Sequence, residues 1–475
     1  MYRLKQVSSL LPKRVADLQC SRLGIGFEKL DRDAFDPEKA YDKLAAVGVK
    51  WIRIQSGWAK TEKQKGVYDF AWLDSIVDNL IARGMIPWMC MCYGNALYTE
   101  AAKEVFGAVG CPPIHTEEEK QAWHNYCAAT AKHFRGRVTH FEVWNEPDGK
   151  WCWKHGVNAT ELGQFNVDTA RALREGNPEV YVIGGSLCQI SASLAFLQEA
   201  FQTGMGDVID GLTFHEYVYK ETNVAQRVRA FKGFFALHGK HIDIIQGESG
   251  SQSRPFGYGA LRLGGWTPHK QAKQLLRHTV ADLLADVTFT SFFSCLDMME
   301  ALNGTVGDKA SYQDYGYFGI LGADFDEDGI ATGEYTPKPS YYALQNLASL
   351  LGGNLVTMDL PVLFTTSRAF DFVEHTGGLP PVRFEEAMSG GFRLDNGSYA
   401  FAFWKPCELM TTDYEGATTL HASIPCDEVH LVDPMDGAVY EIPESIMTTD
   451  TFGNRIFKDI PIKDYPLFLV FGKIE

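Results

Sequence analysis

Short apolar runs alternate with longer amphipathic stretches from residue 22 to about residue 350, and this alternation limits the fold more than any other feature of the chain. It is typical of successive strand–helix units that build a parallel sheet. The predicted strands are rich in Val, Ile, Phe and Trp and are apolar on both faces, as parallel strands covered by helices must be. Eight strands are predicted, at residues 23–27, 51–55, 86–92, 139–145, 180–185, 209–215, 242–247 and 287–293.

Eight amphipathic helices are predicted between and after these strands. They cover residues 37–47, 72–83, 117–133, 159–175, 194–203, 223–238, 270–285 and 340–351. Eight strand–helix units predict a closed (β/α)8 barrel, or TIM barrel, and such a barrel takes roughly 250 residues. The main rival is an open doubly wound sheet, which usually has fewer strands and often a Gly-rich phosphate turn. No GxGxxG motif or P-loop occurs in the sequence.

The pattern of apolar and polar residues changes after Leu351. Segments 382–386, 398–404, 418–422, 428–432, 439–442 and 467–471 are short, alternate in polarity and are separated by Gly, Pro, Asp and Asn. This pattern predicts a C-terminal antiparallel β-sandwich. The predicted domains are therefore a catalytic barrel at residues 21–351 and a sandwich at residues 352–475. An N-terminal segment, residues 1–20, is expected to pair with the sandwich.

Composition excludes several classes of function. A net charge of −16 is unfavourable for binding nucleic acid or an anionic membrane surface. No stretch approaches the ~20 apolar residues of a membrane span, and the N-terminus lacks the apolar core of a signal peptide. The ten cysteines form no CxxC pair, which argues against a zinc ribbon. We expect reduced thiols and a cytoplasmic location, although removal of a leader would make the protein a secreted one.

Two glutamates stand where a barrel enzyme places its chemistry, which is at the C-terminal ends of the strands. The fourth strand runs into Trp-Asn-Glu-Pro at residues 144–147, and the seventh runs into Gly-Glu-Ser-Gly at residues 247–250. Strands four and seven lie on roughly opposite sides of an eight-stranded barrel. Glu146 and Glu248 can therefore face each other across its opening.

Cleavage of a glycosidic bond needs such a pair of carboxyl groups. One protonates the departing oxygen, and the other attacks the anomeric carbon or activates a water. A separation of ~5–5.5 Å gives retention of configuration, whereas ~6.5–9.5 Å leaves room for water and gives inversion. The sequence does not give this distance.

The motifs around these glutamates resemble those of glycoside hydrolase clan A, whose members are retaining (β/α)8-barrel enzymes. Besides residues 144–147, the stretches 48–54 and 66–74 resemble the second-strand region of families 5, 39 and 42, and a His-x-Tyr motif ends strand six. The resemblance covers roughly residues 22–350, and the C-terminal part resembles the sandwich of families 39 and 30. The pattern is closest to families 39 and 5.

The resemblance implies a role for each matching residue. Glu146 would be the acid/base and Glu248 the nucleophile. Asn145 would bind the sugar 2-hydroxyl, and Arg53 would keep Glu248 ionised, because a close cation lowers the pKa of a carboxylate. The remaining two matching residues, His215 and Tyr217, share strand parity and can both point inward toward the carboxylates.

Two departures from the clan pattern affect the family and the substrate. Family 39 usually carries Thr-Glu-Trp-Asn around its nucleophile, whereas residues 247–250 are closer to family 5. Many clan members end strand eight with a Trp that serves as a sugar platform. Here that strand ends in Phe-Phe-Ser-Cys at residues 292–295. The platform must come from elsewhere or be absent.

Aromatic residues crowd the predicted barrel mouth, and sugar rings stack on such side chains. These residues are Trp58, Tyr93, Trp151, Trp153, Tyr258, Trp266 and Tyr312. The predicted substrate-binding set drawn from this region is Trp151, Trp153, Tyr93, Asn95 and Trp266. Competitors for the second catalytic carboxyl are Glu216, Asp297 and Glu300, of which Glu216 has the opposite parity to His215 and should point away from the mouth.

The sequence thus predicts a metal-independent, retaining β-glycosidase without a cofactor. We expect it to cleave short oligosaccharides from one end, in the manner of a β-xylosidase or β-glucosidase. An endo-acting clan A glycanase and a non-catalytic carbohydrate-binding barrel are alternatives. A metal-dependent barrel hydrolase is a third, although neither HxH nor HExxH occurs where it should. The sequence leaves open whether the protein forms a homo-oligomer.

An acidic segment at residues 324–329 resembles the start of a calcium loop. The twelfth position of that pattern needs a Glu and holds Tyr335 instead. A solvated acidic turn is the preferred interpretation, and a bound ion is the alternative.

Overall fold

The computed structural model describes residues 4–188, 193–366 and 387–474, and its largest feature is a closed barrel of eight parallel strands. The strands are β1 (Leu23–Gly26), β2 (Trp51–Gln55), β3 (Ile86–Met91), β4 (His140–Val143), β5 (Tyr181–Leu187), β6 (Gly211–His215), β7 (Asp243–Ser249) and β8 (Thr290–Phe292). Each strand pairs with its successor, and β8 closes the barrel by pairing with β1 through Leu23 and Thr290. The predicted (β/α)8 barrel is confirmed.

One long helix follows each strand and covers the outside of the barrel, and a four-residue helix, Trp58–Thr61, lies between β2 and the long helix after it. The helices are α1 (Tyr41–Val47), α2 (Ala71–Ala82), α3 (Glu117–His133), α4 (Ala159–Gly176), α5 (Ser193–Phe201), α6 (Val224–Leu237), α7 (Pro268–Leu284) and α8 (Pro339–Leu351). The first predicted helix begins later than expected. The Asp36 carboxylate caps only a 3-10 turn, Pro37–Lys39, and the α-helix proper starts at Tyr41.

The C-terminal region forms two antiparallel sheets. The seven-stranded sheet has the order Lys5–Ser9, Ala438–Glu441, Val429–Asp433, Leu467–Phe471, Tyr399–Trp404, Met388–Arg393 and Val356–Met358. The four-stranded sheet has the order Val362–Thr366, Glu415–Ala422, Arg455–Lys463 and Met447–Thr449. The Phe457 and Phe471 rings, one from each sheet, meet at 6.1 Å between their centroids. The predicted antiparallel sandwich is therefore confirmed, and its first predicted strand, residues 382–386, lies outside the described residues.

The N-terminal strand Lys5–Ser9 lies at the edge of the seven-stranded sheet, where it pairs antiparallel with Ala438–Glu441. The division of the chain into folding units at residues 20 and 351 stays a prediction. In the part of the chain that the structure describes, no helix is long and apolar enough to cross a membrane.

Two small hairpins follow β8 at the mouth of the barrel. Met298–Met299 pairs with Tyr315–Gly316, and Leu321–Phe325 pairs with Ala331–Pro337. The acidic segment at residues 324–329 includes the turn of the second hairpin. Its Asp326 carboxylate accepts the backbone N–H groups of Asp328 and Ile330, each at 2.9 Å, as in an acidic turn that binds its own backbone.

Candidate active site

A cavity of about 450 Å³ opens at the C-terminal end of the barrel strands. Both predicted catalytic glutamates line it, together with residues from the loops that follow β1, β3, β5, β7 and β8. Its lining is Glu28, Lys29, Arg32, Gln55, Tyr93, Asn145, Glu146, Trp151, Cys188, His215, Tyr217, Glu248, Tyr258, Gly259, Ala260, Arg262, Phe293, Glu300, Leu302, Asn303 and Phe318.

Arg53 lies fully buried beneath this cavity and organises its floor. Its position in the middle of β2 points the side chain into the barrel, where it meets Glu142 of β4 through Nε at 2.8 Å. The guanidinium also donates to Glu248 through Nη1 and to the Asn145 amide oxygen through Nη2 at 2.8 Å. One fixed cation thus orients the nucleophile candidate and the side chain next to the acid/base candidate.

Glu248 lies near the end of β7 and is 8% exposed. Burial raises the pKa of its carboxyl, but His215 and Arg53 lower it more, and the Tyr217 hydroxyl donates to Oε2 at 2.7 Å and adds to this effect. The net result is a pKa below the usual value for glutamate. Glu248 is therefore held as a carboxylate, which is the state a nucleophile needs.

Glu146 follows β4 in a constrained backbone segment. Trp144 and Glu146 both adopt the left-handed region, with φ of 65° and 45°, which is unfavourable for residues other than glycine. The Glu146 carboxylate accepts from His215 Nδ1 at 2.9 Å and from the Trp151 indole N–H. These contacts fix the carboxylate at the cavity wall despite the backbone strain.

The two carboxylates lie close together. One oxygen each of Glu146 and Glu248, and a ring nitrogen of His215, all lie within 4.8 Å of one another. This close approach of the carboxylate oxygens is compatible with the ~5–5.5 Å carboxyl separation of retaining glycosidases and is shorter than the ~6.5–9.5 Å of inverting ones.

His215, at the end of β6, bridges the pair. Its Nδ1 lies 2.9 Å from Glu146 and 3.5 Å from Glu248, and its Nε2 contacts the Ser186 hydroxyl at 3.1 Å. Burial lowers the pKa of the imidazole, but the two carboxylates raise it more, so that the net pKa lies above the usual value for histidine. The raised pKa favours a protonated imidazole beside the Glu248 carboxylate.

The same three side chains are the group of possible metal ligands found among the described residues. Two carboxylates and an imidazole suit a divalent cation in type. However, Arg53 already neutralises Glu248, and the raised pKa of His215 favours the protonated ring, which cannot ligate a metal. This donor set therefore fits a metal poorly.

Most of the predicted site residues lie where the sequence placed them. Glu146, Glu248, Asn145, His215, Tyr217, Trp151 and Tyr93 line the cavity, and Arg53 supports its floor. Glu216 faces away, as its parity predicts, and pairs with Arg227. Asp297 pairs with Lys338 at 2.6 Å and lines a different depression.

Three predicted substrate-binding residues do not reach the cavity. Trp153 is fully buried against Trp144, with ring centroids 5.8 Å apart. Asn95 donates to the Glu62 carbonyl at 2.9 Å and shapes its own turn, and Trp266 donates to the Leu261 carbonyl at 2.7 Å. These residues lie in loops, where strand parity gives no direction, and their burial makes them structural.

Two more of the aromatic residues that crowd the sequence here, Trp58 and Tyr312, also lie outside the cavity lining. The Trp58 indole N–H donates to Glu62 at 2.6 Å, and the Tyr312 ring stacks on Phe106. Tyr258 does line the cavity.

Several charged residues of the cavity carried no recognisable motif in the sequence. Glu28 and Lys29 follow β1, so the only available signal for them was their position just after a barrel strand. Glu300, which was predicted only as a competitor for the second catalytic carboxyl, follows the short strand Met298–Met299 and lines the cavity. Glu28 approaches Arg53 Nη1 at 3.3 Å. Burial raises the pKa of Glu28 to about 7, with a further contribution from Glu248 that Arg53 opposes.

The chain is similar to known glycoside hydrolases in sequence and in fold. The sequence model of Glycosyl hydrolases family 39 matches residues 39–250, a span that includes both glutamates. A beta-xylosidase from Geobacillus stearothermophilus is 28% identical over 135 residues, which is 26% of each chain. A beta-xylosidase from Caldicellulosiruptor saccharolyticus is 28% identical over 197 residues, or 38% of each chain. The matched segments thus span well under half the length of these relatives.

A solved structure of similar fold is a family 39 glycoside hydrolase from the gut symbiont Bacteroides cellulosilyticus WH2. It superposes with a TM-score of 0.64 at 19% identity, over 95% of this chain and 80% of that one. At this level of identity the superposition shows the fold, a barrel followed by antiparallel sheets. Together with the family match and the two relatives, it confirms the resemblance of this chain to glycoside hydrolase clan A, with family 39 as the matching family.

Proposed function

We propose that this protein is a retaining, exo-acting β-glycoside hydrolase of the β-xylosidase or β-glucosidase type. The observation that carries the proposal is the approach of the Glu146 and Glu248 carboxylates to within 4.8 Å in a cavity at the C-terminal mouth of the barrel. The names of the two curated relatives support a xylose-like glycone.

In the first step Glu248 attacks the anomeric carbon while protonated Glu146 gives its proton to the departing oxygen. The bond from the anomeric carbon to that oxygen breaks, and a covalent glycosyl–Glu248 ester forms. Arg53 and Tyr217 hold the Glu248 carboxylate in position for attack. Asn145, fixed by Arg53, is placed to bind the 2-hydroxyl.

In the second step Glu146 acts as base and takes a proton from a water that attacks the anomeric carbon. The ester bond breaks, Glu248 returns as a carboxylate, and the sugar leaves with its original configuration. His215 contacts both glutamates and supplies positive charge as their ionisation alternates between the steps.

Replacement of each glutamate tests the two roles. We expect Glu248→Gly to abolish hydrolysis of 4-nitrophenyl β-glycosides and azide to restore turnover as a glycosyl azide of inverted configuration. Glu146→Ala should retain hydrolysis of substrates with good leaving groups. Glu216→Gln is a matched control, since its carboxylate faces Arg227 instead of the cavity. Full activity in both active-site variants would refute the assignment.

Product analysis separates the remaining alternatives. NMR of the first product anomer should show retention of configuration. Oligosaccharide substrates should lose single sugar residues from one end, whereas internal cleavage would indicate an endo-acting glycanase. Full activity in EDTA is expected, and its loss would favour the metal-dependent hydrolase. Sugar binding by calorimetry without turnover would favour a non-catalytic barrel.

A further inference from the structure

Trp151 lies in the cavity wall and directs the N–H edge of its indole at the acid/base candidate. The indole N–H donates to Oε2 of Glu146, while His215 Nδ1 lies 2.9 Å from Oε1. Each oxygen of this carboxyl group therefore faces a ring nitrogen of its own. The two catalytic steps described above use His215 but give Trp151 no role.

Two contacts hold the indole ring in this place. Gly149 packs against it so closely that a Cβ atom at this position would lie only 2.6 Å from two of the indole carbons. The Trp151 carbonyl accepts from Lys154 Nζ at 2.6 Å, and Lys154 also donates to the Leu302 carbonyl at 2.8 Å. Lys154 thus ties the loop after β4 to the loop after β8. A donor fixed in this way needs no rearrangement as charge develops during a reaction.

The bond from Trp151 gains strength during the first catalytic step. A protonated carboxyl group keeps lone pairs that can accept the indole N–H, so the bond is present before the reaction begins. Glu146 becomes an anion as it gives its proton to the departing oxygen. Hydrogen bonds to an ionised acceptor are roughly twice as strong as those between neutral groups. The bond therefore stabilises the transition state of the first step more than the bound substrate.

The benefit of such a bond depends on the leaving group. A nitrophenolate departs with little help from an acid, because its own ring stabilises the negative charge. An aliphatic alkoxide does not, so its departure requires transfer of the Glu146 proton in the transition state. The hydroxyl groups of sugars belong to this second class.

We propose that Trp151 is a positioning residue that makes Glu146 a more effective proton donor toward aliphatic leaving groups. The indole N–H holds the carboxyl group at the cavity wall and stabilises the charge that forms when its proton leaves. The substrates to which the site is adapted are therefore glycosides of sugars or other aliphatic alcohols. This inference rests on the proposed hydrolase function and deepens it by naming the class of leaving group.

Trp151→Phe tests the inference, because it removes the N–H and keeps an aromatic ring. The kcat/KM of wild type and variant is measured on 2,4-dinitrophenyl, 4-nitrophenyl, phenyl and methyl β-glycosides and on the disaccharide, all of the sugar that the wild type hydrolyses fastest. We expect a loss of about 10- to 100-fold on the methyl glycoside and the disaccharide, the effect of a hydrogen bond to a charged group. The dinitrophenyl glycoside should lose little. The dependence of log kcat/KM on the acidity of the leaving group should therefore become steeper.

Trp153→Phe is the matched control. Trp153 lies in the same loop and is fully buried, and its indole N–H has no hydrogen-bond partner in the described part of the chain. This variant should keep the leaving-group dependence of the wild type. If Trp151→Phe fails to fold by circular dichroism, Gly149→Ala tests the same contact, since the added methyl group displaces the indole ring.

An equal loss on all substrates would mean that Trp151 stacks on the substrate or only shapes the cavity, and it would overturn the proposal. Unchanged rates in Trp151→Phe would also overturn it, as would the same steepening in Trp153→Phe. The proposed function fails in a different way. An inactive wild type, or a Glu146→Ala variant that still hydrolyses the disaccharide at the wild-type rate, would refute the hydrolase assignment itself.

Discussion

Arg53 is the residue on which most of the site depends. A guanidinium cannot lose its proton in a protein, so its burial requires carboxylates around it. Glu142, Glu248 and Glu28 all lie within ion-pair distance of it, while His215, whose pKa is raised, lies 3.5 Å from Glu248. The ionised nucleophile candidate is therefore part of the charge balance of the barrel interior.

Tyr217→Phe tests how far one hydrogen bond sets the state of Glu248. The hydroxyl donates to Glu248 and lowers the pKa of that carboxyl, so its removal should raise the pKa. We expect the acidic limb of the kcat/KM profile on an aryl β-glycoside to move to higher pH. The maximum should fall about 10- to 100-fold, the effect of losing a hydrogen bond to a charged group.

Tyr219→Phe is the control for this prediction. Tyr219 lies two residues after Tyr217 and is not part of the cavity lining. Its hydroxyl donates to the Leu263 carbonyl at 2.9 Å. The acidic limb should stay in place in this variant. An equal shift in both variants would assign the effect to the segment and not to the bond with Glu248.

Glu28→Gln gives a pH-dependent effect on stability. The pKa of Glu28 is raised from 4.5 to about 7 in the folded protein, chiefly by burial. Its contribution to folding is therefore fully present below about pH 4.5 and is lost as the pH rises through about 7. Glutamine does not titrate. The Tm of the wild type minus that of Glu28→Gln should decrease as the pH is raised from about 5 to about 8. A Tm difference that does not change with pH would contradict the raised pKa.

The sequence predicted those site residues that lie on strands or in a motif. His215 and Tyr217 followed from the His-x-Tyr motif of the resemblance, supported by strand parity, and Glu146 followed from Trp-Asn-Glu-Pro. Lys29 was not predicted, and Glu300 was predicted only as a competitor for the second catalytic carboxyl, because loop side chains have no periodicity and their approach depends on barrel closure. Trp153 was placed wrongly, since an aromatic residue near a strand end suits the core as well as the cavity.

At the level of single elements, the ends of most helices and strands were predicted to within a few residues. Local interactions, such as helix caps, determine where these elements begin and end. Helix α3 begins with a capping box, in which Thr116 accepts the Glu119 N–H at 3.1 Å and Glu119 accepts the Thr116 N–H at 3.3 Å. By contrast, the residues after β8 were not predicted to form hairpins. Their strands are short and pair only with each other, so neither burial nor alternation marks them in the sequence.

Thr116→Ala should destabilise the protein by about 1 kcal/mol, because the first turn of α3 loses its side-chain acceptor. Urea denaturation followed by circular dichroism measures the effect. Thr116→Ser keeps the hydroxyl and is expected to stay within a few tenths of a kcal/mol of wild type. Equal losses in both variants would mean that the threonine methyl group, and not the cap, stabilises the helix.

At the scale of the whole molecule, a buried polar network joins the barrel to the C-terminal sheets. Arg277 of α7 and Glu221, from the segment after β6, are both fully buried and form an ion pair at 2.8 Å. The Trp404 indole N–H, from the seven-stranded sheet, donates to Glu221 at 2.7 Å, and Arg277 donates to the Cys407 carbonyl at 2.8 Å. Neither half of the chain completes this network alone, so we propose that the predicted domains fold as one unit.

Arg277→Met should therefore cost roughly 3–5 kcal/mol, because it leaves the Glu221 carboxylate buried without a countercharge. Urea denaturation, followed by tryptophan fluorescence, measures the loss in the free energy of unfolding of the whole chain. Lys65→Met is the exposed counterpart, since its pair with Glu118 lies in solvent, and it should cost less than ~1 kcal/mol.

The double variant Glu221→Gln/Arg277→Met identifies the cause of that loss. If an uncompensated charge destabilises Arg277→Met, removal of the charge should recover part of the stability, while Trp404 can still donate to the glutamine oxygen. A double variant less stable than Arg277→Met would show that packing, and not charge, dominates this contact. Separate unfolding transitions for the barrel and the sheets in the wild type would contradict the single unit.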